Sequence, residues 1–202
     1  MDGLWFFLFA WIGWVWATFL MDKKNVYRFK LSLGLLLLIV ASPYGIAYGG
    51  IEMQVSALIL MAYILHETAS LRKRAFFSFF VSAFIVMLAY VSFLLFELFD
   101  PIWVIFDRIW MVALTSVCIC SFLQSNIRMR ISILVSGLLQ GEIVYSILMK
   151  RLLFPYPVAT HAFLDILAVS VIVLAVWAGL SHTAFVAGTY INQGGGSKRH
   201  HE

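Results

Sequence analysis

Apolar residues in this chain fall into seven long blocks, and the short polar gaps between the blocks are not alike. The blocks cover about residues 4–21, 31–48, 51–66, 75–96, 101–122, 131–149 and 158–180. Most approach the roughly 20 largely apolar residues that an α-helix needs to cross a bilayer. The predicted fold is therefore all-α, a polytopic transmembrane helix bundle of about seven spans. The first block is followed directly by Asp22-Lys23-Lys24 and lacks both a basic leader and a small-residue cleavage site. It reads as an anchor rather than a removable signal peptide. Pro43 is expected to end the regular part of the second span and to leave 42–50 as an irregular lip. Gly49-Gly50 predicts a tight turn into a short third span that contains Glu52 and Gln54. Asp100-Pro101 predicts a turn with a helix starting at the proline, which suits a first helical position. The bundle is assigned to residues 1–191, and residues 192–202, with Gly194-Gly195-Gly196 and a polar end, to a flexible tail.

The gaps orient the bundle. Eleven of the fourteen Lys and Arg residues lie in every second gap or in the tail: Lys23, Lys24, Arg28, Lys30, Arg72, Lys73, Arg74, Arg128, Arg130, Lys198 and Arg199. Basic loops stay cytoplasmic, so the pattern predicts an N-out, C-in protein. Lys150 and Arg151 then fall outside, and Arg108 falls within a span. A six-span alternative with a re-entrant second block would place 72–74 outside, against the rule. No repeat of fixed period is visible that would mark an inverted-repeat transporter.

Composition agrees with a lipid solvent. The chain is 63% hydrophobic and 12% charged, against about 45–50% and 25% in soluble domains, and its mean hydropathy is +0.96. The net charge of +4 points to anionic headgroups rather than to nucleic acid, because the basic residues border apolar blocks. The expected partner is the lipid bilayer, with any protein partner or self-association left open. Cys118 and Cys120 lie inside a span at i, i+2 and so point to different sides of a helix. They read as buried inert thiols and suggest neither a disulfide nor a metal site.

With topology set, the remaining polar residues can be placed by depth. At 1.5 Å per helical residue, Asp107 is expected roughly 9 Å, and Glu142 and Asp165 roughly 10 Å, below the outer boundary. Arg108 shares that level, His161 is a turn shallower, and Glu52 is near the outer lip. An ionised residue in lipid costs at least about 2.5–3.5 kcal/mol on insertion scales, so these groups should face one another or water. The simplest expectation is a salt bridge from Arg108 to Asp165 or Glu142. Asp107 cannot be its natural partner, since adjacent helical residues do not share a face. His161 and Asp165 are at i, i+4, so a His–carboxylate hydrogen bond is feasible. Asp107, Arg108, Glu142, His161, Asp165 and Glu52 are the ligand- or ion-binding candidates. No catalytic residue is assigned and no metal or cofactor is expected. The first reading of this layer is a structural ion-pair network that fixes helix packing near a shallow, wet vestibule; a pocket for a cation, proton or small polar ligand comes second and a catalytic site third.

Other features read as architecture. Gly137-x-x-x-Gly141 permits close helix approach, within the monomer rather than across a dimer. Trp5, Trp11, Trp14 and Trp16 in the first span exceed an interfacial belt and are read as core packing, with an aromatic groove as the sharper option.

The opening LWFFLFAWIGWVWATFLMDKK, a Trp-rich span ending Thr-Phe-Leu-Met before a basic turn, resembles the YphA-type small integral membrane proteins of Bacillus and relatives. Length and span number fit the same family. The resemblance implies a multi-pass protein of the bacterial plasma membrane and carries over no functional residue. Seven-span ceramidase-like metal hydrolases are a second comparison, but their paired HxxxH in the last span is replaced here by His161-x-x-x-Asp165. The expected function is thus non-enzymatic: a small transporter-like protein, a sensor or an accessory subunit. The alternative is a metal- or carboxylate-dependent membrane hydrolase using His161, Asp165 and Glu142.

Overall fold

Seven helices and one hairpin make up the described part of the molecule, a computed structural model that covers residues 2–48 and 51–196. The helices are α1 (Leu4–Val15, continued by a π-helical turn Trp16–Leu20), α2 (Val26–Ala41), α3 (Val55–Ala69) and α4 (Lys73–Phe99). They are followed by α5 (Arg108–Leu123), α6 (Ile127–Arg151) and α7 (His161–Gly196). Strands β1 (Gly45–Tyr48) and β2 (Ile51–Gln54) pair antiparallel between α2 and α3, with Ala47 opposite Glu52. The Gly49-Gly50 turn lies outside the described residues, as do 197–202 of the predicted tail. Three helices, Lys73–Phe99, Ile127–Arg151 and His161–Ser181, are long and apolar enough to cross a membrane. Leu4–Leu20, Val55–Ala69 and Arg108–Leu123 are shorter apolar helices.

Neighbour contacts close a ring in the order α1, α2, α3, α6, α4, α5, α7 and back to α1, while α6 also touches α5 and α7. The sixth helix is therefore central, and Leu134, Leu138 and Glu142 on it are fully buried. Its glycines set the broadest interface. A Cβ at Gly137 would lie 2.7 Å from Val86 and 2.9 Å from the Ala83 carbonyl, and one at Gly141 would lie 2.6 Å from the Tyr90 ring. The GxxxG pair thus seats α4 on α6 inside one chain, as expected.

Connections alternate between two ends of the bundle. At the basic end, Asn25 and Asn126 cap α2 and α6 by accepting from the N–H groups of Tyr27 and Arg128, each at 3.0 Å. An arginine just beyond each cap then folds back onto the preceding helix. Arg28 donates to the carbonyls of Ala17 and Thr18, and Arg130 to those of Gln124 and Ser121. Carbonyls orphaned at a helix C-terminus are satisfied in this way, and a cation there also suits the helix dipole. Arg128 joins the two connections, donating to the Tyr27 hydroxyl at 3.2 Å with its guanidinium 4.9 Å from that ring. Basic residues read from sequence as topology signals are therefore also helix caps.

Several boundaries depart from expectation. The second helix stops at Ala41 and two paired strands, Gly45–Tyr48 and Ile51–Gln54, follow it, so Glu52 and Gln54 precede the third helix rather than lie in it. Residues 101–107 hold a 3-10 turn (Pro101–Trp103) and irregular chain, so the fifth helix begins at Arg108, not at Pro101. The seventh begins at His161 rather than at Val158 and continues to Gly196, into the predicted tail. The first-span tryptophans are not core: Trp11 and Trp16 are 45% and 50% exposed, and Trp11 packs edge-on to Trp14 at 5.8 Å. Nor are both thiols buried, since Cys118 is exposed while Cys120 is buried and donates to the Arg130 carbonyl.

Candidate functional site

The end of the bundle opposite the basic connections holds the polar residues of interest, supported by the hairpin. Strand β2 is tied to the chain entering α7: Gln54 N–H donates to Val158 O at 3.0 Å and Val158 N–H to Glu52 O at 2.8 Å. The Ser146 hydroxyl fastens the same segment to α6 by donating to Tyr156 O at 2.7 Å. Ala159 takes a left-handed φ of 58° and Leu153 one of 64°, which lets residues 152–160 turn back over the end of α6.

Asp165 is fully buried, and both of its oxygens are committed to the start of α1. Gly3 N–H donates to Oδ2 at 2.6 Å and Phe6 N–H to Oδ1 at 2.7 Å. Gly3 is the N-cap of α1, with φ 95° and no side chain to offer. In an ordinary capping box the N-cap side chain accepts from the third helical residue, whose own side chain returns to the N-cap N–H. Asp165 performs both halves from another helix, and its charge sits at the positive end of the α1 dipole. The expected His161–Asp165 hydrogen bond is not made. The His161 ring lies over Gly3, where a Cβ would come 3.1 Å from Cδ2, and packs against Phe7 with centroids 5.9 Å apart.

Glu142 is also fully buried, but differently served. Its Oε2 accepts from the Tyr90 hydroxyl at 2.7 Å. Its Oε1 has no hydrogen-bond partner, although the Tyr156 hydroxyl and the Ala159 N–H lie beside the carboxyl. Burial, and next the Glu142 charge, push the Tyr156 phenol well above its ordinary value, so Tyr156 stays a proton donor. Its ring also meets Tyr145 edge-on at 4.9 Å.

Arg108 pairs with neither Asp165 nor Glu142. Its Nε lies 3.2 Å from Oε2 of Glu97 in the last turns of α4, with both side chains partly exposed. Sequence reasoning missed Glu97; the available signal was an acid near the end of an otherwise apolar block, followed by the Asp100-Pro101 turn. Asp107, expected within a span, is instead the exposed N-cap of α5 and accepts from Ile109 N–H at 2.9 Å. Glu52 is exposed on the hairpin. Depths change accordingly: Asp165 lies four residues into α7, roughly 6 Å, and Glu142 nine residues from the end of α6, roughly 14 Å. The six candidates share one end of the bundle without forming one cluster. Glu97, Arg108, Glu142, Tyr90 and Tyr156 make the central group. Among the described residues, no three His, Cys, Asp or Glu side chains are placed to hold a metal.

The model of the YphA-like integral membrane protein family matches residues 2–200. A Bacillus subtilis (strain 168) protein named Uncharacterized protein YphA is 25% identical over 153 residues, 75% of each chain. No solved structure matches. The chain belongs to the YphA-like integral membrane protein family, and its apolar helices accordingly sit in a lipid bilayer.

Proposed function

We propose that this chain is a non-enzymatic, seven-span protein of the bacterial plasma membrane, N-out and C-in, that binds a small cation in the outer half of its bundle. The binding makes it transporter-like or a sensor. The observation that carries this reading is Glu142: a fully buried carboxylate whose Oε1 is without a partner. A buried polar atom left unsatisfied costs about 1–3 kcal/mol, and more when charged. Arg108 is already held by Glu97, and that pair is internally neutral. Glu142 then has no ion-pair partner of its own among the described residues, and a monovalent cation is its complement. Seven spans and the N-out orientation rest on the alternating connections and on basic residues gathered at one end.

Thermal unfolding of the full chain in lipid nanodiscs tests the reading. Sodium, potassium or methylammonium chloride should raise the unfolding temperature of the wild type, by about 2.7 kcal/mol of stabilisation at a hundred times the Kd. Glu142→Gln should fold and lose that response. Equal responses to every salt in wild type and variant would sink the proposal.

A further inference from the structure

A recess of about 260 Å³ opens at the hairpin end, lined by Glu52, Ser146, Lys150, Phe154, Tyr156 and their neighbours. Two features connect it to the buried carboxylate. Glu142, Ser146 and Lys150 stand at i, i+4 and i+8 on α6, so they form one polar stripe along a single helix face. Ser146 and Lys150 line the recess, and Glu142 is the next step inward. Tyr156 is the second link, since it walls the recess and its hydroxyl lies beside the Glu142 carboxyl.

The segment carrying Tyr156 is fastened at both ends, by the N–H groups of Leu153 and Phe154 to the last carbonyls of α6 and by the β2 backbone to the buried Val158, with the Ser146 hydroxyl on the Tyr156 carbonyl between them. The exposed Leu153 and Phe154 pack little against the bundle. Such a segment can open locally without unfolding the helices beneath it. We propose that the recess is the outer mouth of a path by which a small monovalent cation reaches Glu142, with the Tyr156 side chain as its stopper. The Glu52 carboxylate at the mouth and the Ser146 hydroxyl supply oxygen ligands on the way in, Lys150 offers none, and the tyrosine keeps water from the carboxylate when the path is shut. This rests on the cation-binding reading above, and its test separates the two.

The protein in vesicles, with Cys118 and Cys120 replaced by Ala, is treated with a water-soluble cationic carbodiimide, and modification of Glu142 is followed by mass spectrometry. Wild type should react slowly and Tyr156→Ala roughly tenfold faster, the factor expected when about 1.4 kcal/mol of closing free energy is lost. A Phe154→Cys variant modified with a bulky charged thiol reagent should suppress the reaction even with Tyr156 in place. The blocking arm therefore remains decisive if Tyr156→Ala fails to fold. Equal rates in wild type and folded Tyr156→Ala, or a rate indifferent to the block at Phe154→Cys, would overturn the path. Protection of Glu142 by sodium or methylammonium against a lipid-soluble carbodiimide reports binding alone. If protection is absent while the two access effects appear, the path stands and the binding reading falls. If protection is present without them, the reverse holds.

Discussion

Asp165 and Glu142 are two fully buried carboxylates at the same end of one bundle, and they have opposite fates. Asp165 accepts two short backbone hydrogen bonds and sits on a helix N-terminus. Glu142 accepts one hydrogen bond from a tyrosine and leaves its second oxygen without a partner. The difference teaches how to sort intramembrane acids. Burial alone does not separate structure from function; the count of satisfied acceptors does. An acid whose lone pairs are all spent on backbone has no capacity left for a ligand. One that is half satisfied has both the capacity and an energetic reason to take one.

The largest expected effect comes from removing the satisfied member. Asp165→Ala leaves two buried N–H groups of α1 without acceptors, at about 1–3 kcal/mol each, and also removes the charge from the helix dipole. We expect a loss of roughly 3 kcal/mol or more, read as a lower unfolding temperature in nanodiscs together with freer proteolysis of the N-terminus. A stable Asp165→Ala protein would erase the contrast.

Next in size is Tyr90→Phe, which removes the 2.7 Å hydrogen bond that Glu142 Oε2 accepts. The cost should be about 1–3 kcal/mol, and it should largely vanish when Glu142 is replaced by Leu in the same chain. Additive effects of the two substitutions would show that the pair is not coupled.

Gly3→Ala probes the cap from the other side. An L-residue at φ 95° is strained by about 1–2 kcal/mol, and the new Cβ would lie 3.1 Å from His161. A loss near that size that leaves the cation response intact would confirm that the Asp165 side is structural. A lost cation response would instead tie the two carboxylates together.

The blocks, the basic gaps and the Gly137–Gly141 seat were legible because each follows from a one-dimensional pattern: apolar length, charge asymmetry, or small residues one turn apart. The partners of the buried acids were not. Asp165 bonds to backbone N–H groups, which carry no side-chain signature; the one hint was Gly3, a helix start without a capping side chain. The apolar block starts the fifth helix at Pro101, which puts Arg108 inside a span and sends it to a neighbouring helix for a partner. Once the 3-10 turn and irregular 104–107 are in place, Arg108 is the first residue of α5 and meets the end of α4 across the connection. The hairpin is hidden in the sequence because its two strands continue the apolar blocks on either side. Glu52 consequently looked like a membrane residue.

The smallest change should be in the stability of Glu142→Gln, and it is the sharpest test of the comparison. The glutamine carbonyl can still accept from the Tyr90 hydroxyl, while the substitution replaces a buried carboxylate with a neutral amide. The lost charge-assisted bond, at roughly 1.5–3 kcal/mol, is set against relief of the desolvation cost of a buried ion, so the net shift should be within about 1 kcal/mol of zero. Asp165→Asn should behave otherwise, because an amide offers a single carbonyl acceptor to two N–H donors and turns an N–H₂ toward a helix start that favours negative charge. Unfolding temperatures of the two isosteric variants, measured side by side without added cation, decide the matter. Near-neutral Glu142→Gln with clearly destabilised Asp165→Asn supports one structural carboxylate and one held in reserve for a ligand. Equal losses would make both structural.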